Sequence, residues 1–139
     1  MDNFRFITPY QVRISDINYG NHVANSAVLN FFQDARIRYL NHLGDFSEMD
    51  IGDGCGIILP KATVEYTAEM FLADELIIGV KITRLGRSSM TMEYRIERGD
   101  RTTSLGVTEL IAFDYTARKP RRLPTRFRQR IVEWENLEQ

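Results

Sequence analysis

A chain of 139 residues suits one domain spanning 1–139 with one sizeable core and excludes a second domain of ordinary size. Its 43% hydrophobic and 27% charged residues and net charge of -1 are those of a soluble globular protein and single out no partner. No apolar run approaches the ~20 residues needed to cross a bilayer, and Met1-Asp2-Asn3-Phe4-Arg5 lacks the basic-then-apolar order of a secretory signal, so a cytoplasmic location is expected.

Between Phe4 and Ile14 the apolar residues fall mostly at even positions, which predicts a strand that Pro9 makes irregular or peripheral. A polar loop from Asp16 to Asn25 follows. The spacing then predicts a helix from Ser26 to Leu43, with Val28, Leu29, Phe32, Ala35, Tyr39, Leu40 and Leu43 on one stripe. Asn25 or Ser26 can cap its start and Gly44 can close its end. Phe31 and Ile37 fall off the stripe, so the helix is apolar on more than one side, as expected if a sheet wraps it. Residues 45 to 56 read as a connecting loop. Its Gly52, Gly54 and Gly56 precede no helix with a basic residue and so form no nucleotide loop. Cys55, the only cysteine, can form no internal disulfide, and with two histidines in the chain a structural zinc site is not expected.

Four strands are predicted next: Ile57 to Ala68, Glu75 to Leu85, Ser88 to Arg98 and Thr102 to Tyr115, with a hairpin turn at Gly99-Asp100. A closing helix begins near Pro124, which is acceptable in a first turn, and repeats apolar residues at Phe127, Ile131 and Trp134. The order β, α, β, β, β, β, α is an α+β plan. Charge is uneven along it. From Arg118 to Arg130 there are seven basic residues and no acidic one, which suits a phosphate-bearing partner or a solvated tail.

Chemistry concentrates in Asp16-Ile17-Asn18-Tyr19-Gly20-Asn21-His22-Val23-Ala24-Asn25, where the helix begins. A helix N-terminus leaves backbone N–H groups unpaired and carries partial positive charge. The N–H groups of Val23, Ala24, Asn25 and Ser26 are therefore candidates to hold a carbonyl oxygen as it gains negative charge. This segment resembles the signature of hotdog-fold thioesterases of the 4-hydroxybenzoyl-CoA thioesterase-like group and their acyl-ACP relatives, roughly D-x-D-x-x-x-H-V-x-N before a long central helix. Further matches are Phe32-Gln33-Asp34-Ala35-Arg36, Val64-Glu65-Tyr66 before Ala73-Asp74-Glu75-Leu76, and Lys119-Pro120-Arg121-Arg122-Leu123-Pro124.

The resemblance covers nearly the whole chain. It implies a hotdog fold, in which a five-stranded, largely antiparallel sheet curls around the long helix and a short helix closes the chain. It also implies hydrolysis of an acyl-CoA or acyl-ACP thioester to free acid and thiol, with no metal and with coenzyme A only as part of the substrate. In those relatives the second acid of the motif is the nucleophile or general base. Asp16 matches the first acid and Asn18 the second, and an amide is neither a base at neutral pH nor a useful nucleophile. The catalytic candidates are then Asp16, acting through a water or by orienting His22 as the base, and Asn18, positioning the water or the carbonyl. Asp34 and Glu65 are alternative acids, because some hotdog enzymes carry their acid on the helix. Arg84, Arg87, Lys119, Arg121 and Arg122 are candidates for the phosphates of coenzyme A.

Bland roles stand beside these. Asp16, Asn18, Asn21 and Asn25 can serve turns and caps, His22 and His42 can be structural, and Met90 and Met92 can be core or line an acyl tunnel. Two other functions compete with hydrolysis. One is a hotdog acyl-CoA or acyl-ACP binding protein that lost its loop carboxylate at Asn18. The other is a basic-tail interaction module, but the tail lacks the interleaved aromatics of a nucleic-acid binder. The strand from Ile57 to Ala68 is expected to be an open edge, and so the chain is expected to form a homodimer or a dimer of dimers with the site at the subunit boundary.

Overall fold

The structure, a computed structural model, describes residues 1–138. Its strands are β1 (Phe6–Gln11), β2 (Gly56–Tyr66), β3 (Glu75–Leu85), β4 (Ser89–Arg98), β5 (Arg101–Asp114) and β6 (Lys119–Pro120); its helices are α1 (Asn25–Leu43) and α2 (Thr125–Glu135). Every strand pairing is antiparallel, in the order β1-β3-β4-β5-β2, with the two-residue β6 added beside β5. This is the expected α+β plan, with a sixth strand too short to leave any periodicity in the sequence. β1 lies at one edge, where Pro9 costs little, and β2 at the other.

Alternation in β3 and β4 turns Leu76, Ile78, Val80, Ile82, Met90, Met92, Tyr94 and Ile96 into one continuous buried face. Against it lies the buried stripe of α1: Ala27, Val28, Phe31, Phe32, Ala35, Arg36, Tyr39, Leu40 and Leu43. That stripe is rotated from the expected one. Phe31, expected off the stripe, is inside, whereas Leu29, expected on it, is exposed at 42%; Ile37 is exposed off the stripe as expected. Phe32 stacks on Tyr94 with ring centroids 4.6 Å apart. The stack fits because residue 106 is glycine: a Cβ there would run into the Phe32 ring.

Arg36 belongs to the stripe although it is charged. Its guanidinium donates to the Tyr94 hydroxyl at 2.9 Å and pairs with Glu48 at 3.4 Å, so the buried charge has partners. α2 is pinned by buried Phe127 and Ile131, and Pro124 occupies its N-cap rather than its first turn. The Tyr39 hydroxyl donates to the Glu135 carboxylate at 2.6 Å, and that carboxylate also accepts the Ile82 N–H at 3.0 Å. One carboxylate therefore ties α1, α2 and β3 together. None of the described helices is long and apolar enough to cross a membrane.

Candidate active site

The loop between β1 and α1 is a frame of hydrogen bonds built around a 3-10 turn at Ile14–Asp16. Asp16 Oδ2 accepts the Arg13 N–H at 2.9 Å and the Tyr10 hydroxyl at 2.8 Å. Burial first, and then the bond to Asp16, push the Tyr10 phenol up to about 12. Ile17 and Val23 form an antiparallel bridge. The Asn18 N–H donates to the His22 carbonyl at 3.1 Å and the Ala24 N–H to the Asp16 carbonyl at 2.9 Å. Asn18 Oδ1 accepts the Gly20 N–H at 3.0 Å, an Asx turn. That turn lays Gly20 over the imidazole, where a Cβ would stand 2.9 Å from His22 Nε2.

This loop is joined to the segment after β2 by the Val12 N–H to the Asp74 carbonyl and the Ala73 N–H to the Val12 carbonyl, each at 3.0 Å, and, beside His22, by the Val23 N–H, which donates to the Met70 carbonyl at 2.8 Å. Between them opens a cleft of about 390 Å³. Val23, Val28 and Met70, all buried, form its apolar floor, and His22, Glu69 and Arg101 supply its titratable groups. The Tyr66 hydroxyl, on the same cleft, donates to the Asn25 carbonyl at 3.1 Å. His22 Nδ1 lies 3.0 Å from the Val23 carbonyl, so the ring N–H belongs on Nδ1 in the neutral imidazole. Nε2 is then left as an acceptor, 4.0 Å from Glu69 Oε2.

The start of α1 meets this cleft without a cap. Its N-cap is Ala24, and neither Asn25 nor Ser26 caps it, because the helix starts one residue earlier than expected and Ala24 has no side-chain acceptor for the first N–H groups. The expected set of open donors also narrows. The N–H groups of Val23 and Ala24 are spent on Met70 and Asp16, while those of Asn25 and Ser26 donate to no acceptor among the described residues. Of these two residues, Asn25 lines the cleft.

Other expected residues lie elsewhere. Asp16 and Asn18 do not line the cleft; their side chains hold the loop from behind. Asp34 accepts the Arg38 guanidinium at 3.1 Å on α1. Glu65 lines a groove with Phe4, Lys81 and Arg95, whereas Tyr66, the next residue along β2, lines the cleft. The basic candidates gather at the far end of the sheet. Arg84 and Arg87 flank the β3–β4 turn, the Arg87 carbonyl accepts the Leu123 N–H at 2.9 Å, and the Arg121 N–H reaches the Ala112 carbonyl at 2.9 Å. Arg121 also pairs with Asp114 at 3.8 Å, whereas Lys119 and Arg122 are exposed. Glu69 and Arg101 carry no signal of their own in the sequence, and Tyr66 stands out there only as part of Val64-Glu65-Tyr66.

The model of the thioesterase-like superfamily matches residues 12–131, which is most of the chain and includes both sides of the cleft. The chain belongs to that superfamily. It is 29% identical over 126 residues to the acyl-CoA thioester hydrolase YbgC of Escherichia coli O6:H1, covering 89% of this chain and 93% of that protein. A thioesterase from Thermus thermophilus, solved in complex with coenzyme A and zinc, is 27% identical, covers 100% of both chains and superposes with a TM-score of 0.88. A 1,4-dihydroxy-2-naphthoyl-CoA thioesterase from Synechocystis shares the fold with a TM-score of 0.83 at 20% identity, covering 92% of this chain and 96% of its own. The hotdog fold expected from the motif is therefore the fold of this chain. Among the described residues no three His, Cys, Asp or Glu side chains converge.

Proposed function

We propose that the chain hydrolyses an acyl-CoA thioester to free acid and thiol, with the reacting carbonyl at the start of α1. The observation that carries this is the uncapped helix N-terminus opening into a cleft that also holds His22. Unpaired N–H groups and the helix dipole stabilise an oxyanion in a fixed place, and an imidazole takes up and returns a proton near neutral pH. Membership of the superfamily and the likeness to YbgC and to the coenzyme A complex support the same reading. Coenzyme A enters as part of the substrate, and a cytoplasmic location is proposed with it on composition.

A binding protein without hydrolysis is not favoured. That reading rested on Asn18 as a lost carboxylate, but Asn18 makes a turn that Asn and Asp form alike. The experiment is thiol release from a panel of aliphatic and aromatic acyl-CoA esters and one acyl carrier protein ester. Turnover of at least one CoA ester is expected; release from none overturns the proposal.

The working unit is proposed to be a homodimer, or a dimer of dimers, joined through β2. Within one protomer the cleft lies at the Tyr66 end of β2, while Lys119, Arg121 and Arg122 lie toward its Gly56 end, beside the close of β5. Two β2 edges paired antiparallel about a twofold axis set the Gly56 end of each against the Tyr66 end of the other. The basic segment of a second copy then serves the cleft of the first. Pro60 and the register shift between Ile58 and Lys61 confine regular pairing to Lys61–Tyr66.

A further inference from the structure

We propose that Glu69 is the catalytic carboxylate of this cleft, sharing the hydrolytic water with His22. The inference deepens the thioesterase reading above and rests on it. Its first support is positional. The Val23 N–H to Met70 carbonyl bond, 2.8 Å long between residues that are 4% and 3% exposed, sets His22 beside Glu69 by backbone register. The Glu69 carbonyl is in turn held by the Arg98 guanidinium, and the Met70 sulfur accepts the Thr103 hydroxyl at 3.1 Å. The backbone under Glu69 is thus tied on both sides, while its side chain stays free to reach into the cleft.

The second support is exclusion by geometry. Asp16 Oδ2 is occupied by Tyr10 and Arg13, Asp34 by Arg38, and Glu65 lies in a separate groove. Of the carboxylates in the described chain, Glu69 alone lines the cleft that receives the start of α1.

The third is the spacing. Glu69 Oε2 and His22 Nε2 stand 4.0 Å apart, too far for a direct hydrogen bond. A water about 2.8 Å from each closes a triangle over that gap with an angle near 90° at its oxygen, so it can donate one hydrogen to each acceptor. Nδ1 is turned to the Val23 carbonyl, which leaves Nε2 bare for this purpose.

The step balances as follows. The water oxygen bonds to the thioester carbonyl carbon while its proton passes to His22 Nε2, and Glu69 stabilises the imidazolium formed. The oxygen that was the carbonyl becomes an oxyanion against the Asn25 N–H at the start of α1. As the carbon–sulfur bond breaks, its electron pair leaves with sulfur, and the imidazolium returns the proton to the thiolate. Acid and thiol result, with no other reactant than water.

The test uses steady-state kinetics on a CoA ester that the wild-type chain accepts. Glu69→Gln keeps size and polarity but cannot support the imidazolium, and kcat should fall by roughly 10²-fold with KM and thermal midpoint little changed. Glu69→Gln combined with His22→Ala should be no slower than His22→Ala alone, because the two residues act as a unit. Formate should restore part of the rate of Glu69→Ala. Full turnover in Glu69→Gln, or additive losses in the double variant, overturns the role of Glu69 while leaving the hydrolase reading standing. A wild-type chain that releases thiol from no CoA ester overturns both.

Discussion

Asn18 differs from a carboxylate by one amide group, and that difference decides little because its oxygen faces the Gly20 N–H rather than the cleft. Asp16 is occupied in the same way by Tyr10 and Arg13. Both residues shape the loop that presents His22. Asp16→Asn retains an oxygen able to accept both bonds, so turnover should stay within about tenfold of wild type. Asp16→Ala loses both bonds and should cost about 1 to 2 kcal/mol of stability in thermal or urea melts. Asn18→Asp should likewise leave turnover within about tenfold. A loss of about 10²-fold in Asp16→Asn would return the role of base to Asp16, and a large gain in Asn18→Asp would identify a lost carboxylate.

At the scale of an element, α1 begins in a way that permits an unusually clean substitution. Asn25 is the first helical residue, a position where proline is well tolerated, and Ala24 before it already has φ -67° and ψ 141°, the extended geometry that a following proline requires. Asn25→Pro therefore removes one N–H from the cleft while sparing the helix. Relative to Asn25→Ala, it should lower kcat by roughly 10²-fold with circular dichroism unchanged. Equal rates in the two variants would remove that N–H from the oxyanion site. The Tyr39–Glu135 clasp between α1 and α2 predicts alkaline lability. Burial first, and then the Glu135 charge, push the Tyr39 phenol far up from 10.0, and Tyr10 rises to about 12. A phenol ionises more readily unfolded than folded here, so the stability is fully present below about pH 10 and is lost as pH rises beyond it. For Tyr10 the loss is complete near pH 12. Thermal midpoints should fall steadily above pH 10, and Tyr39→Phe should make that fall shallower; parallel curves would reject the clasp as its source.

For the whole molecule, the exposed edge of β2 predicts association. Light scattering at micromolar concentration should give a dimer or tetramer, and a stable monomer would reject the trans arrangement of cleft and basic segment. Arg122 is the residue with which to test that segment, because Arg121 is tied to Asp114 and to the Asp53 carbonyl and its loss would loosen the turn. Arg122→Ala should weaken coenzyme A binding severalfold and flatten its salt dependence, as expected when one charge contact to phosphate is lost. An unchanged salt slope would leave Arg122 as a solvated surface charge.

Patterns that repeat within one element were legible without coordinates. Alternation located β3 at Glu75–Leu85, the Gly99-Asp100 turn between β4 and β5, and the run of α1 to Leu43, because backbone geometry imposes its period on which side chains can be buried. The loop motif before α1 marked His22 and the helix start for the same local reason. What the periodicity could not assign was rotation and register. Phe31 rather than Leu29 turned inward, and β6 was too short for any pattern. The pairing of Val23 with Met70, which sets Glu69 beside His22, depends on how the β2–β3 connection docks against the loop. So does the separation of the cleft from Arg84, Arg87 and Lys119 to Arg122, which strand order places at opposite ends of one sheet. Contacts between residues far apart in sequence are set by the packing of several elements at once, and no single segment carries that information.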